Sequence, residues 1–142
     1  MGLKRNPTDI AWVTDVAVPI SKLAIIMTET KEDIIKNGLV SVMGGHGGMV
    51  IFTVSSMTKL RTTLKLSQLL ALLFYSQDEK PKAEAIVERM IYRAIELLEG
   101  TVSGEHGIGL VKRAQLLNEL GDSAVDLMRM VSVITSLIQN VI

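Results

Sequence analysis

The sequence predicts an α+β domain, with helices packed on one face of an antiparallel sheet, and three features support this prediction. First, β-prone segments and helical patterns follow one another in the order strand, helix, strand, strand, helix, loop, helix. Second, the helical patterns are amphipathic, so their apolar sides need a neighbouring layer to pack against. Third, a length of 142 residues suits a single domain.

The first predicted strand and helix occupy the N-terminal third of the chain. Residues 11–18 are rich in Val, Trp and Thr and end at Pro19, which favours a strand. Ser21 is the expected cap of the following helix, and Asn37-Gly38 supplies a left-handed stop. Apolar residues recur at three- and four-residue steps between these two signals. The predicted inward positions are Leu23, Ile26, Met27, Thr30 and Ile34.

A strand, a turn and a second strand are predicted next. Residues 39–43 form a short apolar run, the glycine-rich segment 44–48 suits a turn, and residues 49–54 are β-prone again. The wider segment 49–76 is atypical, because it contains no Asp or Glu and its only charges are basic. By composition alone, this segment predicts a buried strand followed by an apolar helix.

The remainder of the chain predicts two helices separated by a loop. The first helix spans about residues 79–98, with Asp78 as an acidic cap and Pro81 in its first turn. Three glycines between residues 104 and 109 require a loop, and the last helix is predicted to begin near Asp122 or Ser123. The predicted buried positions are Ile86, Val87, Met90, Ile91, Ala94, Leu97 and Leu98 in the first of these helices, and Ala124, Leu127, Met128, Val131 and Ile138 in the second.

Composition excludes several classes of protein. Fifteen basic and fifteen acidic residues give a formal net charge of zero, so a nucleic-acid partner is not expected. Cysteine is absent, which excludes disulfides and thiolate metal sites. The N-terminus carries no apolar run typical of a secretory signal, so a transit peptide would lie upstream. The most apolar segment, residues 64–75, is too short for a transmembrane helix, which needs about 20 apolar residues.

Three segments together resemble the C-terminal domain of FAD-linked oxidases. They are Trp-Val-Thr-Asp-Val-Ala-Val-Pro-Ile-Ser at residues 12–21, Gly-Glu-His-Gly-Ile-Gly at 104–109 and Ala-Val-Asp-Leu-Met-Arg at 124–129. They occur in the family's order and rough spacing. The family includes D-lactate dehydrogenase (cytochrome), D-2-hydroxyglutarate dehydrogenase and the glycolate oxidase flavin subunit.

The resemblance implies a cap domain that packs over a flavin and carries the substrate pocket. A separate N-terminal domain binds most of the FAD in this family, and none fits before Trp12. We therefore expect residues 1–142 to be a partly incomplete fragment that meets FAD only through a missing domain. The implied reaction is oxidation of a D-2-hydroxyacid, with D-lactate as the leading analogy, and transfer of electrons to flavin and then to cytochrome c or another acceptor. A mitochondrial location is implied by the same analogy.

The resemblance also implies site residues. His106 matches the histidine that binds the substrate or takes its hydroxyl proton, and Glu105 matches a carboxylate ligand of a divalent metal such as zinc. His46 matches the first histidine of a His-x-Gly-Asp-Gly-Asn-x-His hairpin, which Glu105 is expected to face. The second histidine of that hairpin falls on Thr53, a poor zinc ligand, so we expect the metal to be lost. The implied cofactor-side glycines are Gly104, Gly107 and Gly109.

The departure at the hairpin suggests a shift of reading frame. The family's Asp-Gly-Asn-Phe-His can be encoded so that reading one base later gives Met-Val-Ile-Phe-Thr, which is the sequence of residues 49–53. We therefore expect a frameshift or misread splice site around Gly47, with the frame returning near Gln77. Under this hypothesis residues 49–76 should pack badly and expose hydrophobic surface.

Two classes of function stay open on this evidence. The chain is either an active flavoenzyme fragment that associates with a flavin-binding chain, or a catalytically inactive or mis-spliced product that binds no flavin of its own. A third alternative, a small ligand-binding or dimerisation domain unrelated to flavin, leaves the Gly-Glu-His-Gly loop unexplained. The sequence does not distinguish D-lactate from other 2-hydroxyacids.

Overall fold

The computed structural model describes residues 7–50 and 65–139. Within these residues, the strands β1 (Ile10–Pro19), β2 (Val40–Val50) and β3 (Lys65–Tyr75) form an antiparallel sheet in the order β1-β3-β2. The central strand β3 pairs along its length with both neighbours, for example Leu70 with Asp15 of β1 and with Gly44 of β2.

Helices connect and cover the strands. The helix α1 (Leu23–Lys36) follows a short 3-10 turn and joins β1 to β2. The helix α2 (Lys80–Tyr92) continues into a π-helical turn (Arg93–Leu97), and α3 (Arg113–Gln139) ends the described chain. This arrangement confirms the predicted α+β class with an antiparallel sheet.

The sheet has two different faces because side chains alternate along each strand. Leu69, Ala71, Leu73 and Tyr75 of β3 belong to the buried cluster that includes α1 and α2 residues, and this side is called the helix face. Each buried aliphatic side chain contributes roughly 1.5–3 kcal/mol. The core residues that meet β3 from β1, α1 and α2 include Val16, Val18, Ile26, Ile34, Ile86, Val87, Met90 and Ile91.

The opposite side of the sheet is called the open face. Strand register places Asp15, Gln68 and His46 on it, since directly opposed residues of antiparallel strands share a face. Val13 and Val42 on this face are 49% and 40% exposed. The open face therefore carries polar side chains and has space for a loop to pack on it.

Helix α1 forms largely as its sequence pattern predicts. Ile26, Thr30 and Ile34 are buried, and Gly38 has the expected left-handed backbone with φ of 71°. Ser21 makes no capping hydrogen bond, because it lies within the 3-10 turn Ile20–Lys22 that precedes the helix.

An ion-pair cluster joins α1 to α2. Arg89 Nε and Arg93 Nη2 donate to Asp33 Oδ2 at 2.8 and 3.1 Å. Burial would raise the pKa of Asp33, but hydrogen bonds from Arg89 and Arg93 outweigh it, so the pKa is lowered. The cluster fixes the two helices against each other at the edge of the core.

Helix α2 follows its predicted stripe with two differences. Ser76, not Asp78, caps the segment, through a capping box in which the Ser76 backbone N–H donates to Glu79 Oε2 at 2.9 Å. Leu97 is 59% exposed instead of buried, because the π-helical turn Arg93–Leu97 alters the angular spacing of side chains. The other six predicted stripe residues are buried: Ile86, Val87, Met90, Ile91, Ala94 and Leu98.

The glycine-rich segment 44–48 is part of β2 and not the predicted turn. A Cβ on Gly45 would lie 3.1 Å from Leu23 Cδ2, so a glycine here lets α1 approach the strand closely. The register shifts between His46 and Met49, as in a β-bulge. The described part of the predicted second strand, Met49 and Val50, continues β2, and residues 51–54 lie outside the described chain.

The prediction of a strand followed by an apolar helix within residues 49–76 is wrong for its described second part, since Lys65–Tyr75 is the central strand. A strand paired on both sides and covered by helices has a nearly continuous apolar sequence, which composition does not distinguish from a buried helix. The expectation of poor packing is also wrong for β3, because Leu66, Leu69, Ala71, Leu73 and Phe74 are buried. Residues 51–64 lie outside the described chain.

The last helix differs most from its prediction. It begins at Arg113 and is interrupted at Gly121, whose φ of 74° and ψ of 167° are not helical. Leu127, Met128 and Val131, predicted to be buried, are 61%, 50% and 52% exposed, since they follow the break at Gly121 and the described contact of α3 with the core is made before it, by Leu116. Ala124 is half-buried, and Ile138 lies outside the described side chains.

The two faces of β3 predict different costs for two matched truncations. Leu69→Ala on the helix face should lower the free energy of unfolding by about 2–5 kcal/mol, because it leaves a cavity in the core. Leu72→Ala, which replaces a half-buried leucine on the open face of the same strand, should cost roughly 1 kcal/mol. Urea unfolding of both variants measures the difference, and equal losses would contradict the assignment of the two faces.

Candidate functional site

The site is built around the carboxylate of Asp15, which lies in the middle of β1 on the open face and is 0% exposed. A buried charge needs partners with good hydrogen-bond geometry. The loop between the π-helical turn and α3 supplies most of these partners, so the sheet and the loop meet at one side chain.

One oxygen of Asp15 binds the loop backbone. The N–H groups of Gly104, Glu105 and His106 donate to Asp15 Oδ2 at 2.9, 2.9 and 3.2 Å. Gln68 Nε2 donates to the same oxygen at 2.8 Å from the central strand. Successive backbone N–H groups that converge on one anion form a concave anion site, which here holds a side chain of the protein itself.

The other oxygen of Asp15 binds Ser103 and Lys112. Ser103 Oγ donates to Oδ1 at 3.0 Å, and Lys112 Nζ donates to it at 2.9 Å. Lys112 Nζ also donates to the backbone oxygen of Val102 at 2.8 Å and to that of Asp15. Lys112 is only 7% exposed, so this is a buried ion pair whose remaining protons are satisfied by carbonyl groups.

This arrangement shifts the pKa values of both Asp15 and Lys112. Burial would raise the pKa of Asp15, but the Lys112 hydrogen bond, the backbone N–H groups of His106 and Glu105 and the Lys112 charge hold it well below its usual range. Burial also lowers the pKa of Lys112, an effect that Asp15 opposes. Asp15 is therefore an anion throughout the neutral range.

The start of the loop is fixed against β1. Ala17 and Thr101 exchange backbone hydrogen bonds at 2.7 and 3.2 Å. Gly100 cannot carry a side chain here, because a Cβ would lie 2.3 Å from the backbone oxygen of Ala17. The Val102 N–H then donates to Glu119 Oε2 of α3 at 2.9 Å. The chain therefore enters the loop along a fixed path.

Glu105 and His106 lie on the loop between the helical segment ending at Leu97 and α3, as predicted. Their backbones are anchored to Asp15, while their side chains are 60% and 43% exposed. His106 Nε2 lies 3.9 Å from Glu105 Oε1. The loop thus presents an imidazole and a carboxylate side by side toward solvent.

His46 lies on the same open face as this loop. Its cross-strand partner in β3 is Gln68, which binds Asp15, and a Cβ on Gly104 would lie 2.7 Å from Gln68 Cγ. Because directly opposed residues share a face, His46 and the Gly104–His106 segment flank Gln68. The side chain of His46 is exposed.

The predicted glycines have different structural reasons. Gly104 lacks room for a side chain, since a Cβ would also lie 3.1 Å from Asp15 Oδ2. Gly107 and Gly109 adopt φ of 76° and 55°, and a Cβ on either would meet nothing within 4 Å. Gly104 therefore serves packing within the domain, whereas the other two shape the loop beside open space.

A recess of about 140 Å³ lies between β1 and this loop. Trp12 to Asp15 line one wall, and His106 to Lys112 line the other. His106 is thus at the edge of a concave surface that ends at the buried ion pair.

The described residues do not complete a metal site. Within residues 7–50 and 65–139, no group of three His, Cys, Asp or Glu side chains is close enough to hold a metal ion. The residue opposite His46 is Gln68, whose amide already donates to Asp15. Thr53, aligned by spacing with the second histidine, lies outside the described chain. The donor set described for this face does not fit zinc.

Sequence reasoning did not identify Asp15, Gln68, Ser103 and Lys112 as site residues. Asp15 had a visible signal, because a carboxylate stands inside the apolar run from Val13 to Val18. The other three partners are distant in sequence and become recognisable only from the sheet register and the path of the loop.

Comparison with known proteins identifies the family of the chain. The family model for FAD linked oxidases, C-terminal domain, matches residues 1–132, and the chain belongs to that family. It is 41% identical over 128 residues to D-lactate dehydrogenase [cytochrome], mitochondrial, of Kluyveromyces lactis, covering 90% of this chain and 19% of the relative. Family membership excludes the alternative of a domain unrelated to flavin enzymes.

Two further relatives of the chain also have names that refer to D-lactate dehydrogenase. The chain is 36% identical over 118 residues to D-lactate dehydrogenase [cytochrome] 1, mitochondrial, of Saccharomyces cerevisiae, covering 83% of this chain and 17% of the relative. It is 38% identical over 119 residues to the probable D-lactate dehydrogenase, mitochondrial, of Danio rerio, covering 84% of this chain and 21% of the relative. The chain spans about a fifth of the length of the relatives it matches. Among the helices that the structure describes, none has the length and apolar character needed to cross a membrane.

The depressed pKa of Asp15 predicts acid sensitivity. The folded chain binds this proton less readily than the unfolded chain, whose Asp pKa is about 3.9, so the stabilisation is complete above that pH and is lost as pH falls through the folded value. We expect the free energy of unfolding to fall more steeply between about pH 5 and pH 2 than in Asp15→Asn/Lys112→Met.

Urea unfolding at several pH values measures these slopes. Asp33→Asn is the matched control, because it removes the other carboxyl with a lowered pKa and leaves the Asp15 contribution in place. Identical slopes for the unchanged chain and the double variant would contradict the prediction.

Proposed function

We propose that this chain is the substrate-side part of an FAD-dependent D-2-hydroxyacid dehydrogenase that oxidises D-lactate to pyruvate. The observation that carries the proposal is the anchored loop: Glu105 and His106 project from a fixed backbone beside a recess. Electrons pass to flavin and then to cytochrome c or another acceptor. A mitochondrial location is supported by the relatives, which are named as mitochondrial proteins.

His106 is the proposed catalytic residue. Its exposed imidazole at the edge of the recess takes the proton of the substrate hydroxyl, while the C2 hydrogen leaves with its electron pair. Bound FAD supplies the acceptor for that hydride. Glu105 stands 3.9 Å from His106 and stabilises the imidazolium that forms. Gly107 and Gly109, which border open space, are the proposed points of close approach to the flavin side.

The flavin itself is proposed to come from a separate FAD-binding domain. The relatives have about four-fifths of their length outside the matched region. The active assembly then consists of this chain, an FAD-binding domain and a D-2-hydroxyacid. Nucleic acid has no part in the proposal, because the net charge of the chain is zero.

The second candidate is a catalytically inactive or mis-spliced product, and the incomplete donor set around His46 favours it. Under this candidate the loop keeps its shape but the metal is lost. The frameshift hypothesis for residues 49–76 belongs here. The burial of β3 favours a return to frame before Lys65, earlier than Gln77. Genomic sequence tests the hypothesis, because shifting the frame after Gly47 should regenerate Asp-Gly-Asn-Phe-His.

Flavin content and turnover distinguish the two candidates. The purified chain should bind no FAD and oxidise no D-lactate, because the residues for flavin binding lie in another domain. Addition of a separately produced FAD-binding domain from a D-lactate dehydrogenase relative should give D-lactate-dependent reduction of flavin if the first candidate is right. His106→Gln should lower that rate by about 100-fold or more, as expected for loss of a general base.

The outcomes of this experiment separate cleanly. Stoichiometric flavin in the purified chain alone would overturn the division into two domains. Flavin that stays oxidised in the mixture, although the two proteins associate, would favour the inactive product. Glu96→Gln, on the exposed surface of the π-helical turn, is the control and should leave the rate unchanged.

We propose that the metal is lost because Thr53 replaces the second histidine implied by the resemblance, and because Gln68, which lies opposite His46, supplies no imidazole in its place. The chain should bind zinc weakly, since His46 and Glu105 are only two ligands. Gln68→His should tighten zinc binding by at least about tenfold, because it adds an imidazole opposite His46 whose other N–H can donate to Asp15.

Zinc titration of the purified variants measures this effect. His46→Ala in the Gln68→His background is the control and should abolish the gain. No difference between the unchanged chain and Gln68→His, with both folded, would show that position 68 does not limit metal binding.

A further inference from the structure

The arrangement at Asp15 does more than hold a loop on a sheet. Three successive N–H groups converge on Asp15 Oδ2, at Gly104, Glu105 and His106. We propose that Asp15, with Lys112 as its counter-ion, is the positioning residue that sets the direction in which Glu105 and His106 project. This inference rests on the function proposed above for His106.

The geometry makes the backbone, rather than the side chains, the part that Asp15 controls. Each anchored N–H fixes the orientation of one peptide group, and three in succession leave the segment little freedom to rotate. The side chains of Glu105 and His106 remain 60% and 43% exposed and make no contact with Asp15 through their own polar atoms. Their directions are therefore inherited from the anchored backbone.

Lys112 closes the loop at its other end. Its Nζ donates both to Asp15 Oδ1 and to the Val102 carbonyl oxygen, so one ammonium group joins the entry and the exit of the loop. Among the residues that the structure describes, the ionisable side chains that bond each other at this point are Asp15 from β1 and Lys112 from the loop, and His106 lines the recess beside them. Gln68 from β3 and Ser103 add neutral donors.

Stability and positioning can be separated at this site. A buried ion pair is often replaceable by apolar residues without loss of stability. An apolar or neutral replacement cannot accept three N–H bonds as a carboxylate does. The pair Asp15→Asn/Lys112→Met should therefore keep the fold while releasing the loop.

Amide hydrogen exchange on the full chain tests this inference without depending on activity. In Asp15→Asn/Lys112→Met, the amides of Gly104, Glu105 and His106 should exchange faster by roughly tenfold to a hundredfold. This range corresponds to the stabilisation that a hydrogen bond to a charged acceptor provides. The amides of β3 should be unchanged. Gln68→Leu, which removes one neutral donor and keeps the carboxylate, should leave the loop amides protected.

If the double variant fails to fold, hydrogen exchange of the unchanged chain still tests the inference. In the unchanged chain, the three loop amides should be protected to a similar degree as amides of the paired strands, although the loop is half-exposed. Unprotected loop amides in the unchanged chain would overturn the inference. So would a folded double variant with fully protected loop amides, which would give Asp15 a structural role alone.

In the mixture with an FAD-binding domain, the double variant should lower kcat for D-lactate by about tenfold or more, with a smaller change in KM. A loss of loop protection without any change in kcat would overturn the positioning role. Absence of turnover in the unchanged mixture would count against the proposed function, whereas the exchange result would still decide whether Asp15 orders the loop.

Discussion

The buried carboxylate of Asp15 is the point at which the sheet and the loop depend on one another. Removing an isolated carboxylate from water costs several kcal/mol, and hydrogen bonds within the fold must offset this desolvation free energy. Six donors do this: four from the consecutive residues 103–106, one from Gln68 of β3 and one from Lys112. Any change that misplaces the loop leaves part of this charge unsatisfied. The hydrogen bonds to Asp15 therefore hold the loop on the sheet.

The division of the sheet into two faces makes such a centre possible. The helix face is apolar and carries the core, which frees the open face to carry polar groups. The central strand β3 contributes to both faces. Leu69 and Leu73 lie in the core on the helix face, and Gln68 lies on the open face. A single strand thus links the stability of the fold to the composition of the site. A strand of largely apolar composition thus also contributes a polar partner of Asp15.

Sequence patterns predicted the parts of the fold whose signal is local. The three- and four-residue spacing in α1 and α2 identified the buried positions, and Gly38 marked the end of α1. The errors occurred where partners are distant. An apolar run such as β3 satisfies a helix or a central strand equally well until its neighbours are known.

The site was predictable to a similar extent. The glycine-flanked Glu105 and His106 stood out by motif, and the structure does place them on a loop. The glycines at 44–48 suggested a turn because glycine favours turns, but close packing of Leu23 on Gly45 gives another reason for glycine. Gln68 became visible only through its pairing with His46, since 22 positions separate the two in sequence. Register, which no local pattern fixes, decided that part of the site.

The loop depends on only a few parts of the chain. Its backbone is held by Asp15 of β1 and by Lys112, and the atypical segment 49–76 contributes Gln68 of β3 to the same carboxylate. Three of the six donors to Asp15 are backbone N–H groups of the loop itself, which any residue other than proline can supply. The position of the loop on the sheet therefore depends less on the side chains of Glu105 and His106 than on the carboxylate that accepts from their backbone.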